Sequence, residues 1–243
     1  MNNYNVYTYH NDLEFNKELI NYINDSKAEV IENKRDNFIY KTIFFGNKLN
    51  NVKEILVKEI EFFFKYMNIK NNSHIFVVGL GNDNYTADSV GCKVLKYIRV
   101  NSYLENFGIN INGVKVSAME PGVLGETGIL TERTILSMSK EINPDLVILI
   151  DSFVSDDINY LNKSIEINNN GIKSGGGING INSIIDKKLL DIPVLVIGVS
   201  TASLVKIKDK DISYLLTTKD IDKYVNNISE VIGLAINEAI MNL

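Results

Sequence analysis

The run "DLVILID" constrains this chain most, because Leu146 to Ile150 is apolar at every position. A strand with no polar face must be covered on both sides, as in parallel sheets flanked by helices. Three further short strands are predicted from similar segments, centred on Ile75–Val78, Val114–Ala118 and Val194–Val199. The sequence thus predicts a buried sheet of at least four strands.

Helical patterns separate these strands. We predict helices over residues 51–67, 88–98 and 131–142, and a last helix from Thr218 to Met241 with Thr218 as its N-cap. Alternating strands and helices indicate an α/β protein with three layers, α/β/α, and a mostly parallel sheet.

The amino-terminal region does not follow this alternation. The segments "AEVIE" and "NFIYKTIFF" predict two strands of an accessory hairpin. We therefore assign residues 1–50 to an N-terminal arm and residues 51–243 to the α/β/α domain.

Composition narrows the classes of function. A formal net charge of -5 disfavours nucleic acid as a direct partner. Neither a secretory signal nor an apolar run long enough to span a bilayer is visible, so we expect a cytoplasmic protein without a membrane partner. One cysteine, Cys92, and two histidines argue against a disulfide framework and a zinc site.

The loop "VVGLGNDNYTADSV" after the first core strand resembles a nucleotide-binding turn only in part. Gly79 and Gly81 match the first two glycines of GxGxxG, but Asn84 takes the third position, and no GxxxxGK[ST] motif is present. What remains is a turn that Asn82 can hydrogen-bond, followed by Asp88 at the start of a helix. Asp88 either caps that helix or enters an active site.

A second aspartate favours the active site. Asp151 directly follows the apolar strand "LVILI", at the carboxyl end where open α/β sheets bind their ligands. If the two strands are neighbours, Asp88 and Asp151 meet at one edge of the sheet. Such a pair can share a proton and activate water, or it can hold a divalent metal that does so.

Glycine-rich segments are candidates for lining a cleft at this edge. "MEPGVLGETGI" supplies Pro121, Gly122 and Gly125, and "GIKSGGGING" supplies a second group that permits close approach to a ligand or forms an ordinary flexible loop: Gly175, Gly176 and Gly177. A serine nucleophile in "GVSTA" is disfavoured, because the motif ends in alanine and both histidines lie far upstream.

Taken in order, these segments resemble the germination proteases, or spore proteases, which are atypical aspartic endopeptidases of spore-forming bacteria. The parallel runs through "VVGLGNDNYTADSVG", "VSAMEPGVLGETGI", "INPDLVILIDSF", "NKSIEINNNGIKSGGGING", "LDIPVLVIGVST" and "TTKDIDKYVNNISEVIGLAIN". The resemblance implies that Asp88 and Asp151 are the catalytic pair and that no cofactor is needed.

The resemblance also implies a substrate and a setting. The family degrades small acid-soluble spore proteins during germination, is made as a zymogen, forms tetramers and processes its own amino terminus. We therefore expect a homo-oligomer in the forespore or spore core, with a candidate propeptide at the start of the arm. The Glu14–Phe15 bond resembles the bonds that the family cuts.

Two alternatives stay open. The same turn resembles the hydrogenase maturation endopeptidases, which share the fold and carry a metal-binding carboxylate at the position of Asp88; a divalent metal would then lie at Asp88 and Asp151. The other alternative is a catalytically inactive spore protein that retains the fold as a binding module.

Overall fold

The computed structural model describes residues 28–35, 38–46, 49, 51–174, 183–206 and 213–243. Its strands, in chain order, are β1 (Glu29–Arg35), β2 (Phe38–Phe44), β3 (His74–Gly79), β4 (Lys115–Met119), β5 (Leu146–Ser155), β6 (Ser164–Asn168), β7 (Ile172–Ser174), β8 (Ser183–Ile185), β9 (Val194–Lys206) and β10 (Ser213–Leu216). Its α-helices are α1 (Val52–Tyr66), α2 (Val90–Val94), α3 (Leu124–Thr127), α4 (Thr131–Ile142), α5 (Lys187–Leu190) and α6 (Ile221–Met241).

Eight of the described strands form one sheet, in the order β1-β2-β6-β9-β5-β3-β4, with β10 paired to β9. The four strands predicted from the sequence, β4, β3, β5 and β9, lie side by side and are parallel. Antiparallel strands continue the sheet beyond β9. The parallel centre brings the carboxyl ends of β3, β5 and β9 to one edge.

Helices cover both faces of the sheet, which confirms the three-layer α/β/α prediction. Along β5, Leu146, Ile148 and Ile150 pack into a core with α1, α2 and α6. The intervening Val147 and Leu149 pack into a second core with α4 and α5. This alternation explains why the strand is apolar throughout.

The hairpin of β1 and β2 forms as predicted and extends the central sheet through β6. Lys41 of β2 is buried and points at α1. Its ammonium lies 2.5 Å from a carboxylate oxygen of Glu59, 3.0 Å from one of Glu32, and 3.5 Å from the centre of the Phe62 ring. These contacts fasten the hairpin to α1.

The predicted helix over residues 88–98 is broken. Residues Thr86–Asp88 form a 3₁₀ turn, α2 follows as a short helix, and Leu95–Tyr97 returns to 3₁₀ geometry. The predicted N-cap of the last helix is wrong, since Asp220 precedes α6 and the Thr218 hydroxyl accepts a hydrogen bond from Asn162 instead. Within the described part of the chain, no helix is long and apolar enough to cross a bilayer.

Candidate active site

Asp151 lies on β5 immediately after the point where the pairing of β5 with β3 ends. Pairing of the two strands ends with Gly79 opposite Ile150, and the Leu80 N–H then donates to the Ile150 carbonyl at 2.8 Å. Asp151 is the next residue of β5 and lies at the carboxyl edge of the parallel strands, as the sequence predicts. Ligands of open α/β sheets bind at this edge.

The glycine turn after β3 brings Asp88 back to the same edge. Gly81 has a φ of 101°, in the left-handed region that glycine favours. The Asn82 N–H donates to the Asp88 carbonyl at 3.0 Å, so the loop closes on itself. A Cβ atom at Gly81 would lie 1.9 Å from that carbonyl oxygen, which leaves room only for glycine.

Close contacts of Gly91 place α2 directly against the chain at the carboxyl ends of β3 and its partner β5. A Cβ atom at Gly91 would lie 2.3 Å from the Leu80 carbonyl oxygen and 2.4 Å from that of Ile150. Gly79 faces Gly91 in the same way, with a Cβ-to-oxygen distance of 2.3 Å. The glycines of the loop thus serve close backbone packing, and that packing positions Asp88.

Thr201 of β9 fastens the turn that carries Asp88. Its buried hydroxyl donates a 2.6 Å hydrogen bond to the carbonyl of Ala87. Sequence reasoning missed this residue. The only signal was its place directly after the predicted strand Val194–Val199, at the edge where Asp151 also lies.

The pKa values of both carboxyl groups are raised, and the causes differ between the two. Burial, and after it the negative charge of Asp88, raises the pKa of Asp151 well above its usual range, although the Ser152 N–H donates to its Oδ1 at 2.8 Å. Burial raises the pKa of Asp88 to about 6, against a smaller opposing effect of the Asn82 backbone N–H. Because the negative charge of Asp88 contributes to the raised pKa of Asp151, Asp88 is the first of the two groups to ionise as pH rises.

Asp88 and Asp151 are both half-buried residues. Their carboxyl groups are desolvated at the carboxyl edge of the parallel strands, and this desolvation is the main cause of both raised pKa values. Perturbed carboxyl groups in such a position are typical of functional sites.

The predicted cleft residues divide into three groups. Asn82 is buried and its side-chain oxygen accepts from the Asn84 N–H at 2.8 Å, so it builds the turn. In the second group, Pro121 is buried and Gly125 is exposed. Gly122 has a φ of 71°, and its carbonyl oxygen accepts a hydrogen bond from the Thr131 hydroxyl. The Asn84 amide donates to Glu126 at 2.7 Å, which joins this loop to the Asp88 turn. Gly175, Gly176 and Gly177 lie outside the described residues.

Other nucleophile candidates lack a histidine base at this edge of the sheet among the described residues. Ser200 is fully buried and its hydroxyl lies 3.2 Å from that of Ser155. His74 lies at the amino end of β3, bonded to Ser117, and burial lowers its pKa. Cys92 lies within α2, and its thiol is buried. Burial, and after it Glu120, raises the pKa of this thiol, so we interpret Cys92 as a packing residue.

The side chains do not form a complete metal site within the ranges that the structure describes. There, no group of three or more histidine, cysteine, aspartate or glutamate side chains comes together. Two carboxyl groups without a third such side chain beside them in the described ranges do not fit the donor set of a resident divalent cation. We derive no step through a metal.

The fold and the site define a three-layer α/β/α protein with a pair of carboxyl groups at the carboxyl edge of its parallel strands. Residues 46–218 match the family model described as germination protease. The chain therefore belongs to the germination protease family.

Named relatives support the assignment. The chain is 35% identical to the germination protease of Priestia megaterium, over 70% of this chain and 47% of the relative, and 40% identical to that of Caldanaerobacter subterraneus, over 61% and 47%. It is 28% identical to the germination protease of Clostridium tetani, over 91% of this chain and 83% of the relative. The chain thus spans about half the length of the first two.

Proposed function

We propose that this chain is an endopeptidase in which Asp88 and Asp151 hydrolyse peptide bonds with one shared proton. The observation that supports the proposal is the position of Asp88 and Asp151 at the same edge of the sheet, near enough for the charge of Asp88 to raise the pKa of Asp151. A base and an acid whose pKa values are pushed apart are what acid–base catalysis requires.

Each aspartate takes a distinct role. The ionised Asp88 removes a proton from a water molecule, and the oxygen of that water attacks the peptide carbonyl carbon. Asp151 donates its proton to the carbonyl oxygen as charge develops there. Because the Ser152 N–H already occupies Oδ1 of Asp151, the proton lies on Oδ2. Asp88 then returns its proton to the leaving amine and the C–N bond breaks, while one hydroxyl of the tetrahedral intermediate gives its proton back to Asp151 as the C=O bond reforms.

The substrates that we propose are small acid-soluble spore proteins, degraded during germination in the spore core. Family membership supports this substrate class, a zymogen form and a homo-oligomeric, tetrameric assembly. The enzyme would act without a cofactor. Self-processing would cut at Glu14–Phe15, which lies outside the described residues.

The decisive experiment incubates the wild-type protein, Asp88→Asn and Asp151→Asn with a small acid-soluble spore protein and follows the products by mass spectrometry. Each asparagine should lower kcat/KM by about 10³-fold or more, since it removes one partner of the acid–base pair. Asp83→Asn is the matched control, because Asp83 lies in the same loop and pairs at 3.8 Å with Lys96 at the surface.

The control should retain full activity, and circular dichroism should show that all variants fold. Cleavage by both Asp88→Asn and Asp151→Asn at the wild-type rate would overturn the mechanism. A wild-type protein that binds the spore protein and leaves it intact would instead support the binding-module alternative.

A further inference from the structure

Three Asn-Gly sequences occur in the chain, and the structure describes two of them. Asn112–Gly113 precedes β4, and Asn170–Gly171 lies between β6 and β7, whereas Asn179–Gly180 lies outside the described residues. In an Asn-Gly pair the glycine nitrogen can approach the side-chain amide of the asparagine closely, because glycine has no side chain to hinder it. Such pairs are therefore prone to attack of the chain on itself.

The Asn112–Gly113 pair is exposed and has few contacts. It lies in the loop between the 3₁₀ turn Ser102–Phe107 and β4, and Asn112 is exposed. The hydrogen bonds of the described residues include none to the Asn112 side chain or to the Gly113 N–H. Gly113 has a φ of 135°, and a Cβ atom placed on it would meet only the Asn71 carbonyl oxygen, at 4.0 Å. The side-chain amide and the glycine nitrogen thus have room to turn toward each other.

The Asn170–Gly171 pair has the same sequence in the opposite surroundings. The Asn170 side-chain amide donates a hydrogen bond to the hydroxyl of Tyr40 on β2, and its backbone N–H donates to Oδ1 of Asn168 at 3.0 Å. Gly171 is buried, and a Cβ atom there would lie 2.4 Å from the Ile185 carbonyl oxygen. Attack of the Gly171 nitrogen on Asn170 would break the bond to Tyr40 and move a buried stretch of backbone.

We propose that Asn112 is a site of chemical modification, at which the folded protein converts asparagine to aspartate and isoaspartate, and that the fold protects Asn170 from the same reaction. Hydroxide removes the proton of the Gly113 N–H, and the nitrogen attacks Cγ of Asn112. The new N–Cγ bond closes a succinimide ring, the Cγ–Nδ2 bond breaks, and ammonia leaves with a proton from water. A water molecule then opens the ring at either carbonyl. The net reaction consumes water and releases ammonia, with no oxidation or reduction.

The modification changes charge and chain length next to β4. Both products carry a new carboxylate, and isoaspartate also inserts a carbon atom into the backbone at position 112. Two residues further on, the Val114 carbonyl accepts from the Asn101 side-chain amide at 2.9 Å. The site lies before the amino end of β4, whereas Asp88 and Asp151 lie at the carboxyl edge of the parallel strands. The inference therefore does not rest on the proposed peptidase function.

Peptide mapping of the aged protein tests the inference with both asparagines in one sample. The full chain is incubated folded in mildly alkaline buffer, and conversion at each Asn-Gly pair is followed over time by digestion and mass spectrometry. Conversion at Asn112 should be at least about tenfold faster than at Asn170, because the bond to Tyr40 and the burial of Gly171 raise the barrier at the second pair. Equal rates, or a faster reaction at Asn170, would overturn the inference.

Incubation in urea separates the effect of the fold from that of the local sequence. In the unfolded chain both Asn-Gly pairs are exposed to solvent, so their rates of conversion should become similar. A difference as large in urea as in the folded protein would show that neighbouring residues, and not the fold, protect Asn170, and the structural assignment would then be wrong.

Tyr40→Phe supplies an independent test of the protection. This variant keeps the aromatic ring and removes the hydroxyl that accepts from the Asn170 amide. Conversion at Asn170 should rise about fivefold in the folded variant, the factor that corresponds to a hydrogen bond of about 1 kcal/mol. Asn112 is the internal reference and should react at its wild-type rate. An unchanged rate at Asn170, with the fold intact by circular dichroism, would contradict protection by Tyr40.

Discussion

The hydroxyl of Thr201 donates a 2.6 Å hydrogen bond to the carbonyl of Ala87, the residue immediately before Asp88. This bond joins the middle of β9 to the 3₁₀ turn that presents the proposed general base. Because Thr201 is 2% exposed, the bond is shielded from competing water. It fixes the turn relative to β5, which carries Asp151, since β5 and β9 are neighbours.

Removing this hydroxyl should impair catalysis more than folding. Thr201→Val keeps the side-chain shape and leaves the Ala87 carbonyl without its partner, so we expect a cost of about 1–3 kcal/mol in the free energy of unfolding. We expect kcat to fall about tenfold or more with a smaller change in KM, because a displaced Asp88 misplaces the attacking water. Steady-state kinetics on a spore-protein peptide measures this.

Thr201→Ser is the matched control, since it restores the donor and should recover most of the lost kcat. A purely structural role for the hydroxyl would appear as equal kcat values in both variants and the wild type at temperatures well below unfolding.

Much of this site could be predicted from the sequence because its parts follow local rules. The apolar run Leu146 to Ile150 required cover on both faces, and Asp151 had to emerge at its carboxyl end. Asn84 at the third glycine position argued against a phosphate-binding loop and in favour of Asp88 as the functional residue of this turn. The sequence could also indicate a turn at Asn82, since its side chain bonds locally.

What the sequence could not show depends on contacts between distant segments. Thr201 reaches Ala87 only because β9 lies beside β5 in the folded sheet. The helix predicted over residues 88–98 is divided into α2 and two 3₁₀ turns, and Gly91 of α2 packs against Leu80 and Ile150, a contact that a helical pattern does not encode. Strand β10 was missed for a different reason: it pairs with the adjacent end of β9, but its four residues are all exposed and lack an apolar alternation.

The carboxyl pair should give a bell-shaped dependence of kcat/KM on pH. Activity requires Asp88 ionised, and its pKa is raised to about 6, so activity should rise as pH increases through that value. Activity also requires Asp151 protonated, and its raised pKa places the loss of activity on the alkaline side. Initial rates at low substrate concentration across acidic to alkaline pH measure both limbs.

A rate that is already maximal near pH 4, the usual range of an aspartate, would contradict the base role of Asp88. The two pKa values obtained from the pH profile belong to the pair of carboxyl groups and not to either aspartate alone, because the two groups interact.

The same shifts predict how stability depends on pH. The folded protein holds a proton on Asp88 up to about pH 6, whereas the unfolded chain releases it near its ordinary value of 3.8. Between these values the folded state binds more protons, so the contribution of Asp88 to stability is present at low pH and lost as pH rises through 6. Asp151 continues the same trend to higher pH.

Replacing Asp88 or Asp151 with asparagine removes the free-energy cost of ionising a buried carboxyl group. Asp88→Asn and Asp151→Asn should each be more stable than the wild type at pH 8 by about 1 kcal/mol or more, with a smaller difference at pH 4. Urea unfolding at both pH values measures the difference. Asp83→Asn, at an exposed position, should show no such trend, and an equal pH dependence in all variants would contradict the buried charges.

Close packing at Gly91 predicts a steric cost for any added side chain. In Gly91→Ala the new methyl group would meet the carbonyl oxygens of Leu80 and Ile150 at 2.3 and 2.4 Å, so α2 must move away from the strand ends. We expect a loss of about 3 kcal/mol in the free energy of unfolding, as in overpacked cores. Activity should also fall, because α2 follows the Asp88 turn.

Gly125→Ala is the matched control for this substitution. No atom lies within 4 Å of a Cβ placed there, so its unfolding free energy should stay within about 0.5 kcal/mol of the wild type. If Gly91→Ala unfolds at the same denaturant concentration as Gly125→Ala, the contact of α2 with the strand ends is wrong.

Removal of metal ions separates the acid–base mechanism from the metal-dependent alternative. In the described residues no third histidine, cysteine, aspartate or glutamate completes a ligand set with Asp88 and Asp151. Dialysis against a chelator, followed by dialysis into chelator-free buffer, should therefore leave kcat/KM unchanged. A loss of activity that added zinc or manganese restores, with the fold intact by circular dichroism, would favour a metal-activated water and would reassign both aspartates as ligands.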